Sequence, residues 1–223
     1  MTHAAVNAMG PPSPTARGVD AYDMKLGMWV FLGSEVMFFT ALIGTYVILR
    51  FGAPGEWARP GIVLSIPITA FNTFLLICSS VSMVKAYAAI ADGNPKLLNV
   101  WMLVTIICGA MFVGIQVYEY QHLIHRGLLP SGVREGSELA ELVANGTLPE
   151  ATMGLYGSSF YTMTGFHGFH VTCGVISMLY LYVTKALRGK YTPQDYRGVE
   201  VVGLYWHFVD LVWIILFTIV YLV

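Results

Sequence analysis

LGMWVFLGSEVMFFTALIGTYVIL, residues 26–49, is bracketed by Lys25 and Arg50 and carries one acidic side chain, Glu35, and no basic one. A helix needs about 20 mainly apolar residues to cross the hydrocarbon core of a bilayer, and this run supplies them. Working outward along the chain, four more segments qualify. The spacing predicts an all-α polytopic membrane protein, a bundle of five transmembrane helices at roughly 25–50, 61–85, 97–120, 156–184 and 199–222. The runs are too long and too continuous for the alternating strands of a membrane β-barrel. Pro67, near the start of the second segment, is expected to kink it.

Composition agrees. Of 223 residues, 56% are hydrophobic and 11% charged, against roughly 25% charged in a soluble domain. Mean hydropathy is +0.65. A net charge of -1 leaves no electrostatic footprint for nucleic acid. Cys78, Cys108 and Cys173 all sit in apolar runs without a CxxC pair, and read as buried thiols with no disulfide framework. Residues 1–23 are rich in Pro, Ala and Gly, lack the apolar core of a signal peptide, and read as a flexible tail. The first helix is then expected to serve as its own insertion signal.

Lys and Arg in short loops set orientation. Arg17, Lys25, Lys85, Lys96, Lys185, Arg188, Lys190 and Arg197 fall on one side; Arg50, Arg59, Arg126 and Arg134 fall on the other. This predicts the N-terminus inside and the C-terminus outside. The one sizeable loop, 121–155, is then external. Within it, SELAELVANG predicts a short helix stopped by Asn145-Gly146. The loop is too small and too poor in His, Cys or Gly-rich motifs to house an active site. Asn145-Gly146-Thr147 is a glycosylation triplet that arises often by chance. There is no internal repeat, P-loop or dinucleotide fingerprint.

An ionisable side chain at mid-bilayer costs about 2.5–3.5 kcal/mol on insertion scales. Such groups therefore face protein and seek partners. This chain holds Glu35 in the first segment, Asn72 in the second, Gln116 and Glu119 in the third, His167 and His170 in the fourth, and His207 and Asp210 in the fifth. Residues three apart share a helix face. The pairs Gln116/Glu119, His167/His170 and His207/Asp210 each mark the protein-facing side of a helix. Thr164, Gly168 and Thr172 form a small-residue stripe that admits a neighbouring backbone. The fourth segment is accordingly expected at the centre of the bundle.

Three readings of these groups compete. Metal or haem ligation by His167, His170 and His207 needs converging ligands with supporting partners, yet bulky Phe166 and Phe169 flank the histidines and no CxxCH occurs. A proton relay needs groups in near-continuous contact on both halves of the membrane, and the outer half offers Glu119 alone. The third reading is a buried polar network that registers the helices, since hydrophobicity alone cannot do so in lipid. In it Glu35 accepts a hydrogen bond from a histidine of the fourth segment, while His207 and Asp210 satisfy each other or a neighbour.

FLGSEVMFF (31–39), YGSSFYTMTGFHGFHV (156–171) and YWHFVDLVW (205–213), with a weaker YEY at 118–120, resemble the signature segments of subunit III of the haem–copper cytochrome c and quinol oxidases. The likeness spans all five segments in order. It implies a chain with no catalytic residue, no haem and no copper of its own, those groups residing in subunits I and II. It implies packing against subunit I in a hetero-oligomeric complex of the bacterial inner (plasma) membrane, bound phospholipid, and support for oxygen access and proton uptake while the complex reduces oxygen to water. Glu35 matches the family's buried, carbodiimide-reactive glutamate; His167, His170, His207 and Asp210 match its buried polar positions. Many members have seven helices, and this chain starts at what resembles their third, like five-helix bacterial forms whose extra helices end subunit I. The family's basic residue for a lipid headgroup finds only Lys185 or Arg188 here. The alternative of another class is a haem-b membrane anchor of a respiratory dehydrogenase, bound through His170 and His207. A proton-linked transporter would show symmetry between its halves, which is absent.

Overall fold

The computed structural model describes residues 21–53, 55–192 and 195–222. Five of its helices are long and apolar enough to cross a membrane. They are α1 (Ala21–Gly52), α3 (Ile66–Ala91), α4 (Pro95–Arg126), α6 (Glu150–Leu181) and α7 (Arg197–Phe217). Two shorter helices, α2 (Pro60–Val63) and α5 (Glu138–Ala144), and a hairpin of β1 (Leu128–Leu129) and β2 (Gly132–Val133) lie in the connections. Most of the expected tail lies outside the described residues; positions 21–23 already belong to α1.

The helix boundaries have local causes. Pro67 falls in the first turn of α3, where a missing N–H costs nothing. The expected kink is therefore a clean break, with Leu64 extended and Ser65 non-helical between α2 and α3. Asn94 caps α4, its side chain accepting from the Leu97 N–H at 3.2 Å. Gly127 ends α4 at φ +103°, a left-handed conformation that suits glycine. Helix α5 ends at Asn145, with Gly146 at φ +72°, where the sequence places its stop. The long helices α6 and α7 each finish in a π turn, Tyr182–Ala186 and Thr218–Leu222.

Helices α3 and α4 form the closest pair, and α7 packs against α1, α3 and α6. The helix most enclosed by its neighbours is α7, rather than the fourth span. The small-residue stripe does bring another helix close: a Cβ at Gly168 would meet the Gln116 amide of α4 at 2.7 Å. But the opposite face of α6, with Phe166, Phe169 and Tyr180, is exposed. Helix α7 carries Trp206 and Trp213, both fully buried, and two indoles require partners on more than one side. Trp206 donates to Ser79 Oγ and Trp213 to Thr73 Oγ1, each at 2.9 Å, fastening α7 to α3. The thiols depart from expectation as well. Cys78 is exposed and Cys108 and Cys173 are half-buried, because an apolar run in a membrane helix faces lipid as readily as protein.

The hairpin, which the sequence reading did not foresee, closes over the end of α6. Tyr161 donates to the Leu128 carbonyl at 3.0 Å, and the Leu129 carbonyl sits so close to Gly157 that no Cβ fits there. Arg126 pins the same end. Its guanidinium donates to the carbonyls of Val63 (2.8 Å) and Ile62 (3.2 Å) and pairs with Glu138 at 2.9 Å. That guanidinium holds the Glu138 carboxyl below the ordinary carboxylate range.

Candidate functional site

The intramembrane polar residues gather into separate clusters rather than one network. The first joins α1 to α6. His170 Nε2 lies 3.0 Å from Glu35 Oε2, and its Nδ1 lies 2.7 Å from the carbonyl of Phe166. A carbonyl only accepts, so Nδ1 carries a proton. One further proton must then lie between Nε2 and Oε2. The pair is an imidazolium with a carboxylate or an imidazole with a carboxylic acid; both are neutral in sum, which is what a low-dielectric site tolerates. Phe38 and Phe39 flank the ring, and Tyr205 of α7 donates to the His170 carbonyl at 2.8 Å.

His167, one turn earlier, has no exposure at all. Its Nε2 lies 3.1 Å from the Val209 carbonyl of α7, so Nε2 carries the proton there. Its Nδ1 is buried without a partner among the described residues, which suits a neutral ring. Phe39, Phe112 and Trp213 enclose it, the last with ring centroids 4.7 Å apart.

His207 and Asp210 do not bond each other directly. Ser80 of α3 comes between them: its hydroxyl is 2.6 Å from His207 Nδ1 and also faces the Asp210 carboxyl. Asp210 Oδ1 is left buried and unpartnered among the described residues. Gln116 and Glu119, though on one face of α4, serve different neighbours. Gln116 donates to the Thr164 carbonyl at 2.8 Å, and Tyr120 shares a 2.6 Å bond with Thr164 Oγ1. Glu119 accepts from Thr69 at 2.8 Å and from Tyr221 at 3.4 Å. Asn72 donates to the Phe112 carbonyl.

The sequence reading missed the partners on α3. Thr69, Thr73, Ser79, Ser80 and Ser82 receive or supply bonds to α4 or α7. The signal was present: with Asn72 and Leu76, small hydroxyl residues recur at helical spacing along the second segment. Lys185 and Arg188 lie apart from all these clusters, exposed near the end of α6; the Lys185 ammonium sits over the Tyr191 ring at 5.8 Å.

Such an arrangement can align helices and hold protons locally. Among the described residues, no three His, Cys, Asp or Glu side chains converge as metal ligands. His170 bonds toward α1 and His207 toward α3, so the two do not approach a common ligand position.

Comparison with known proteins places this bundle. A family model described as cytochrome c oxidase subunit III matches residues 17–125 and 145–223. The unmatched interval falls on the hairpin and α5. The "Probable quinol oxidase subunit 3" of Staphylococcus saprophyticus is 32% identical over 199 residues, 89% of this chain and 88% of the relative. The "Probable cytochrome c oxidase subunit 3" of Mycobacterium tuberculosis is 36% identical over 200 residues, 90% of this chain and 88% of the relative. The "Cytochrome c oxidase subunit 3" of Thermostichus vulcanus is 34% identical over 197 residues, 88% of this chain and 86% of the relative. With five apolar spans and three resembling motifs gathered around them, the chain belongs to the cytochrome c oxidase subunit III family, the third subunit of the haem–copper oxidases.

Proposed function

We propose that this chain is the redox-silent flank of a respiratory terminal oxidase of the bacterial plasma membrane, with its N-terminus inside and its C-terminus outside. It packs on subunit I, stabilises it, and supports oxygen access and proton uptake while the complex reduces oxygen to water. Haem and copper belong to subunits I and II, and phospholipid lies against this chain, with Lys185 or Arg188 at a headgroup. The observation that carries the reading is the state of His170 and His167. Three of their four ring nitrogens are spent on Glu35 and on backbone carbonyls. A nitrogen already hydrogen-bonded within the bundle has no lone pair to offer iron or copper without breaking that bond.

The experiment is purification of the complex through an affinity tag on this chain, in mild detergent. The reading expects subunits I and II, with their haems and copper, to co-purify. Recovery of this chain with a dehydrogenase, or with no haem-bearing partner, would contradict it.

A further inference from the structure

Helices α3 and α7 leave a groove between them that differs from the other outward faces of the bundle. The exposed side of α1, with Trp29, Val36, Met37 and Ile48, is satisfied by lipid chains, being mainly apolar with Ser34 and Thr45 bonded to carbonyls of their own helix. The α3–α7 groove is not. At its middle the half-buried Ser80 and His207 reach the surface, and Asp210 lies behind them with Oδ1 unpartnered among the described residues. The only bond of the His207 ring among the described residues is at Nδ1, to Ser80, so Nε2 has no protein partner. Beside this cluster lies an open recess of about 210 Å³, lined by Met83, Val84 and Tyr87 of α3 and by Gly203, Leu204 and His207 of α7.

We propose that this groove seats a transmembrane helix of another oxidase subunit, one that presents a hydrogen-bonding side chain to His207. Three observations favour that occupant. Hydrocarbon chains offer neither donors nor acceptors, so lipid would leave Nε2 bare in a medium where an unbonded polar group is costly. Ionisable side chains inside membranes face protein, and one side of this cluster has none. Finally, Leu204, His207, Leu211 and Ile214 follow one another at intervals of three and four residues, the spacing of a helix–helix seam. Of these, Leu211 is 57% and Ile214 42% exposed, with Val84 across the groove at 53%. A polar residue between such apolar knobs fixes register, as single buried polar residues do in other helix pairs. The inference rests on the chain being part of an oxidase complex; which sister subunit supplies the helix does not enter it.

The test is photo-crosslinking in native membranes, with benzoylphenylalanine in place of Leu211 and, in a second variant, of Val84. Both positions face outward and touch none of the polar groups by substitution. The whole complex is then isolated through a tag on this chain and the adducts are identified by mass. The expected result is a covalent adduct between this chain and a different subunit of the oxidase at one or both positions. Adducts with lipid alone, or with a second copy of this chain, would overturn the proposal. Isolation of the chain without haem-bearing subunits would overturn the membership on which it rests, and would be visible before any adduct is examined.

Discussion

Glu35 and His170 show how much a single pair can carry. Each alone would be a liability in a bilayer; together they are net neutral and saturate Nε2, while Phe166 saturates Nδ1. Removing the acid leaves an imidazole nitrogen without its partner, a loss of about 1–3 kcal/mol. Glu35→Ala is expected to loosen the subunit, lowering the temperature at which it leaves the complex and hastening inactivation during turnover. Haem spectra and copper content are expected to stay as they were. Glu35→Gln keeps a group able to donate to or accept from Nε2 and is expected to fall close to the parent. Thermal release followed by gel analysis reads both variants. The meeting of Glu35 with a fourth-span histidine was legible in the sequence from their common depth. The mediator between His207 and Asp210 was not. A serine in a membrane helix usually satisfies itself on its own backbone, as Ser82 does on Ser79; the spacing of hydroxyls marked a bonding face on the second segment, but nothing singled out Ser80 on it as the mediator.

Packing between elements turns on glycines that face Trp206. A Cβ on Gly174 would meet its ring at 2.9 Å, and one on Gly109 at 2.7 Å. The indole cannot retreat, being fully buried and bonded to Ser79. Gly174→Ala and Gly109→Ala are each expected to destabilise by about 1–3 kcal/mol, the usual cost of overfilling a core. Gly114→Ala, with nothing within 4 Å of the added carbon, is the neutral control. Thermal denaturation of the purified complex, followed through release of this chain, compares the three. At the extramembrane end the relevant element is Arg126. Arg126→Ala strips two backbone carbonyls of their donor and Glu138 of its counter-charge, and should expose the segment 127–149 to protease while the spans stay protected. The pH dependence has a definite sign. Glu138 has a depressed folded pKa, so its contribution is present above the ordinary Glu value of about 4.3 and is lost as pH falls through the lowered value. Because the carboxylate is 58% exposed, the effect is small and screened by salt. Limited proteolysis of the loop should therefore rise below about pH 4, and Glu138→Gln should show the same rise at neutral pH. The helices were legible from apolar length, and α5 from its Asn-Gly stop. The hairpin was not, since two residues per strand give no alternation to detect.

For the whole molecule, the sequence revealed the class and the family but misplaced the centre. Polar pairs and a small-residue stripe pointed to the fourth span, yet the enclosed helix is α7. Small residues report one close neighbour; two buried indoles report a helix surrounded on several sides. That distinction was available in Trp206 and Trp213, two indoles seven residues apart in the fifth segment. The resulting bundle uses its acids and imidazoles to hold helices in register, and in the function proposed above electron transfer belongs to sister subunits. The most direct test is to strip this chain from the purified oxidase with detergent and measure haem and copper per subunit I before and after. The account predicts unchanged stoichiometry and an unchanged optical spectrum, with faster inactivation in turnover. Loss of a haem or copper equivalent along with the chain would contradict it.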